Sequence, residues 1–154
     1  MERRGWATFA WQADYGQFYL IDGEDEAFLA PETITSEMET RRVVAPAAGL
    51  MVYTEGCLQQ HLRIALYDAE PDHPPAEPMS GKPWTQVETI QARFPSRRFI
   101  LSSPSTPYPL PGGPHFVVET ETVTVRVSWM EFQGSRDDSV PVEPDVIEIV
   151  LWPS

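Results

Sequence analysis

Cysteine is nearly absent from this chain of 154 residues: Cys57 stands alone, so no internal disulfide forms and the two-cysteine and four-cysteine zinc patterns are excluded. A reducing, cytoplasmic setting is expected. Cations are also scarce. Eleven Lys plus Arg against 23 Asp plus Glu leave a formal charge of minus 12, which repels phosphate backbones, so nucleic acid is not expected as a direct partner. Long apolar runs are missing too. The start MERRGWATFAWQADYGQF is interrupted by Gln12, Asp14 and Gln17, and neither a signal peptide nor a membrane helix is expected there.

Signatures of catalysis are missing as well: the sequence contains no G-x-S-x-G, no P-loop, no G-x-G-x-x-G and no H-E-x-x-H. The three histidines lie far apart, His61 on an alternating segment and His73 and His115 in proline-rich stretches. His61 reads as an ordinary strand residue. Cys57 has no adjacent basic residue to lower its pKa and reads as a small buried side chain. The acidic stretch IDGEDEAF lacks the twelve-residue alternation of an EF-hand. No catalytic residue, metal or cofactor is therefore expected.

What the chain does contain is material for a core. Hydrophobic residues make up 42%, with five Trp, five Tyr and seven Phe, and the length suits a single domain over residues 1–154. Sixteen prolines and nine glycines break up helical periodicity, and alternation of period two recurs instead. Over Leu58 to Tyr67, Leu62, Ile64 and Leu66 face one way and His61, Arg63 and Tyr67 the other. Val123, Val125, Val127 and Trp129 alternate with polar residues, and DVIEIVLW sets Ile147, Ile149 and Leu151 opposite Glu148. These three segments are expected to pair antiparallel.

Shorter strands are expected at Thr8 to Gln12, Gln17 to Ile21, Arg41 to Ala45, Gly49 to Thr54, Thr89 to Phe94 and Arg98 to Leu101. WTQVETIQARF fits helical and strand spacing alike. One short helix is expected within Pro31 to Thr40, where Ile34 and Met38 are four apart and Thr33 or Thr35 caps the start. The fold class is then all-β, a single antiparallel β-sandwich or jelly roll of about nine strands. Two proline-rich segments, AEPDHPPAEPMSGKP and SPSTPYPLPGGP, read as stiff surface connections.

Two acidic clusters mark the candidate binding residues. Asp22, Glu24, Asp25 and Glu26 follow the strand QFYLI, and Asp137 and Asp138 occupy the connection before the last strand. Crowded like charges favour exposure, and exposed carboxylates attract a basic protein.

Three segments together resemble the small bacterial proteins related to competence protein J, the inhibitor of a DNA-entry nuclease: YGQFYLID, WTQVETIQARFPSRRFILSS, and PGG followed by VRVSW and DVIEIVLWP. The stretch HFVVETET adds length between PGG and the VRV strand relative to that group. The resemblance implies a β-sandwich that, if the role is inherited, masks a basic nuclease or toxin as an immunity-like inhibitor. The competing expectation is a sandwich that binds a sugar or other small molecule in a groove lined by some of Trp6, Trp11, Trp84, Trp129 and Trp152.

Overall fold

The computed structural model describes residues 2–12, 16–24, 35–54, 59–72, 84–103, 115–131 and 145–154. Among the described residues, ten strands and one helix occur in the order β1 (Arg3–Gln12), β2 (Gln17–Asp22), α1 (Ser36–Arg41), β3 (Val43–Val44), β4 (Gly49–Tyr53), β5 (Gln59–Tyr67), β6 (Gln86–Arg93), β7 (Arg98–Ser102), β8 (Phe116–Val117), β9 (Thr122–Met130) and β10 (Asp145–Pro153). They form two five-stranded sheets, ordered β1-β5-β10-β9-β6 and β3-β4-β2-β7-β8. The fold is an all-β sandwich.

Its interior follows from the alternation. Leu62, Ile64, Leu66, Val125, Val127, Ile147 and Ile149 are all buried, and they meet Phe18, Leu20, Leu50, Val52, Phe99 and Leu101 of the second sheet in one cluster. Three phenylalanines close one side: Phe99 lies 4.9 Å from Phe94 and 4.9 Å from Phe116, measured between ring centroids. The segment of mixed periodicity folds as β6, because pairing with β9 from Gln86↔Trp129 to Arg93↔Thr122 overrides its weak helical spacing.

The helix begins where its cap predicts. Thr35 accepts from the Met38 amide at 3.2 Å, and Met38 packs on Tyr19 and Met51. The left-handed Arg42, at φ 61, ends it.

One expectation is corrected. β9 and β10 pair antiparallel, but β5 and β10 run parallel, in register from Asp145↔Gln60 to Leu151↔Leu66. Parallel neighbours need a long crossover, and here β6 to β9 intervene in the chain. Alternation within a strand fixes which face is buried and carries no information on strand direction. The same central position buries both faces of β10, so Glu148 is buried and pairs with Arg63 at 3.5 Å. Among the described residues, no helix is long and apolar enough to cross a membrane.

Candidate functional site

The two described anchors of the acidic stretches, Asp22 and Glu131, lie at opposite ends of the sandwich. β2 starts at Gln17, paired with Tyr53, and finishes at Asp22, paired with Phe99. Tyr53 donates its amide to the Arg42 carbonyl, and Arg42 holds Glu131, the residue directly after β9. Six residues of strand, at about 3.3 Å each, thus separate the Asp22 end from the end where the connection carrying Asp137 and Asp138 takes root. Asp25, Glu26, Asp137 and Asp138 themselves lie outside the described residues.

At the first end, Asp22 departs from the exposure expected of it: it is 5% exposed. Its Oδ1 accepts from the Glu24 amide at 2.9 Å and its Oδ2 from the Ser96 amide at 2.8 Å. The carboxylate ties the end of β2 to the turn between β6 and β7. Acidic residues of a cluster look alike in sequence, whereas a carboxylate beside two otherwise unmatched amides is drawn inward. Asp22→Ala is expected to cost about 1–3 kcal/mol in chemical denaturation, since it strands two amides. Asp22→Asn should recover part of that, as its side-chain oxygen still accepts one bond.

Around Asp22 the charges are largely matched. Glu24 pairs with Arg98, Glu121 with Arg93 at 3.4 Å, and Glu119 with Arg4 at 3.2 Å. Asp68 accepts from the Glu2 amide at 2.6 Å, and that bond, aided by Arg4, holds its carboxyl below the usual range.

The second end is organised by a polar junction that joins both sheets. Arg42 grips both carboxylate oxygens of Glu131, its Nη2 lying 2.6 Å from Oε2, and its guanidinium sits 5.1 Å from the centroid of the Trp129 ring. Trp129 donates its indole N–H to the Tyr53 carbonyl at 2.9 Å. Nearby, Glu37 and Glu39 of α1 are exposed and make no ion pair among the described residues. Burial pushes the Tyr53 hydroxyl pKa up, and the Glu39 charge adds to the shift. Nothing in the spacing of Arg42 and Glu131, 89 positions apart, announces this junction.

A third group lies on the outer face of the first sheet. Arg126 is buried, donates to the carbonyls of Pro71 and Asp72 at 3.3 Å each, and lies 5.6 Å from the Trp152 ring centroid. Burial lowers its pKa. The arrangement straps the chain after β5 across the sheet, a structural task.

Other sequence candidates are scattered. His61 stands on the outer face of β5 and His115 is exposed before β8, while Cys57 and His73 lie outside the described residues. Of the tryptophans, Trp6 is 55% exposed, Trp84 is half-buried, Trp129 and Trp152 are buried, and the Trp11 side chain lies outside the described residues. A cavity among Arg4, Leu66, Tyr67, Val118, Leu151 and Trp152 has a volume of about 20 Å³, room for one water and far below a ligand pocket.

No known protein family and no curated protein matches the sequence. Solved structures do match the fold. ComJ from Bacillus subtilis, inhibitor of the DNA-degrading activity of NucA, superposes with a TM-score of 0.70 at 10% identity, covering 100% of both chains. A protein described as crocagin biosynthetic gene J does so with a TM-score of 0.62 at 15% identity, covering 99% of each. The likeness to the competence protein J group read from three strand-and-turn segments is thus borne out at the level of the fold.

Proposed function

We propose that this protein is an acidic binding module that masks a basic nuclease or toxin, in the manner of an inhibitor or immunity protein. The observation that carries the reading is the end-to-end likeness of its fold to a nuclease inhibitor, in a chain with a net charge of minus 12. A nuclease cleft collects Arg and Lys to hold phosphate, and exposed carboxylates compete for those cations through charge-assisted hydrogen bonds. Glu24, Asp25 and Glu26, which follow β2 in the chain, or Asp137 and Asp138, in the connection between Glu131 and Asp145, supply the contacts. Asp22 acts from beneath, by fixing the turn that presents Glu24. The second end is favoured as the main contact, because the arginines around Asp22 offset its local charge, whereas Glu37 and Glu39 add to the field beside the Glu131 root.

Inhibition is the test. The protein is titrated into DNA cleavage by a basic nuclease purified from the same source cells, with the protein alone as control. Cleavage is expected to cease near stoichiometric protein and to return at high salt, while the protein alone neither retards duplex DNA nor cuts it. Cleavage that persists at large excess, or tight salt-sensitive DNA binding by the protein itself, defeats the reading.

A further inference from the structure

One arginine lacks a match. Every other arginine among the described residues has a carboxylate, an aromatic ring or a backbone carbonyl at its guanidinium. Arg97 is exposed and has none of these among the described residues, in a chain with 23 acidic side chains against 11 cationic ones. It sits in the turn between β6 and β7 at φ 60, a left-handed conformation that glycine adopts without strain and arginine does not. The fold holds it there. The Arg97 amide donates to the Phe94 carbonyl at 2.8 Å, the Val118 amide donates to the Arg97 carbonyl at 2.9 Å, and the preceding Ser96 amide is bound by Asp22. Phe94 and Phe99, buried on either side of the turn, anchor both of its ends in the core. Val117 of β8, paired with Arg98, is 64% exposed and stands beside this turn. A cation held on a rigid turn next to a bare apolar side chain suits a contact surface.

We propose that Arg97 is a specificity-determining contact that binds a carboxylate of the partner, an inference that rests on the reading of that partner as a basic nuclease. A surface with a net charge of minus 12 draws in any basic protein, so carboxylates alone select poorly. Arg97 selects by sign. Against a face that is basic throughout, its charge repels; against one that sets a carboxylate among its cations, it forms a charge-assisted pair. A nuclease that cuts with a divalent cation meets that condition, because carboxylates hold the metal inside a cleft that is otherwise lined with Arg and Lys. Nucleic acid, the other source of an oxyanion, is repelled by the rest of the chain. The acidic residues steer the approach, and Arg97 determines which basic partner is retained.

Binding kinetics of the full chain on the immobilised nuclease that it inhibits, and on poly-L-lysine as a polycation without carboxylates, read the result at roughly 0.05 and 0.15 M NaCl. On the nuclease, Arg97→Gln should raise the dissociation constant at least about tenfold, chiefly through faster dissociation. On poly-L-lysine the same variant should bind as tightly as wild type or more tightly, because it carries one positive charge fewer. Arg97→Gly relieves the left-handed strain, so its denaturant midpoint should equal or exceed that of wild type while its nuclease binding weakens like that of Arg97→Gln. Nuclease binding by Arg97→Gln as tight as that of wild type, a loss of equal size on poly-L-lysine, or an affinity for duplex DNA that depends on Arg97 overturns the assignment. In the first case wild-type inhibition still stands and the proposed function survives; a wild-type protein that inhibits no basic nuclease ends both.

Discussion

Truncation of Ile149 to alanine is expected to cost about 2–5 kcal/mol of folding stability, read as a lower denaturant midpoint with an unchanged slope. Ile149 is fully buried on β10, the middle strand of its sheet, in register with Ile64 on one side and Val127 on the other. The cavity left behind is bounded by two sheets that cannot both close on it, which places the cost in the upper part of a small domain's range. Val87→Ala, on the exposed face of β6, serves as the control and should stay within about 0.5 kcal/mol. Equal effects at the two positions would mean that the alternation of β10 does not define the core.

The second large effect belongs to the Arg42 junction. Arg42→Met should cost about 2–4 kcal/mol, because it leaves the Glu131 carboxylate, 11% exposed, without its bidentate partner and bares the Trp129 ring. Glu131→Gln should cost less, since the amide still accepts from a guanidinium. In a double-mutant cycle the pair should fall short of additivity by roughly 1–3 kcal/mol. Strict additivity would show that each residue acts through its own packing and that the pair does not couple the sheets.

These two sites differ in how far the sequence discloses them. Ile147, Ile149 and Leu151 alternate with Glu148, so the buried face of β10 follows from a local pattern of period two. Thr35 likewise marks the start of α1 by an interaction three residues long. Arg42 and Glu131 meet only because β3, which follows Arg42, and β9, which precedes Glu131, belong to facing sheets, and no local pattern encodes that meeting. The same holds for the parallel register of β5 and β10, and for β8, whose two residues are too few to show a period.

The acidic clusters show a subtler limit. Composition raises Asp22 and Glu24 alike as candidates, yet it cannot tell the carboxylate that closes a turn from the one that faces solvent. Asp22 accepts two backbone amides, whereas Glu24, two positions on, reaches Arg98 at the surface. Nor does linear order reveal that β2 carries its acidic terminus away from the Glu131 end. Electrostatic function at a distance depends on that placement, because screening leaves charges at opposite ends of a strand nearly independent.

The central claim is that exposed carboxylates bind a basic partner, and the most direct test measures association and dissociation rates of the captured partner at two salt concentrations. Wild-type protein is compared with Asp25→Asn, Glu26→Gln and Asp137→Asn. A carboxylate at the rim should, when neutralised, slow association and flatten its salt dependence. One in a desolvated arginine pair should speed dissociation by an amount equivalent to about 2–5 kcal/mol. The account predicts the larger change for Asp137→Asn. Rates identical to wild type for all three variants at both salt concentrations would contradict it, and the acidic loops would then be solvated surface alone.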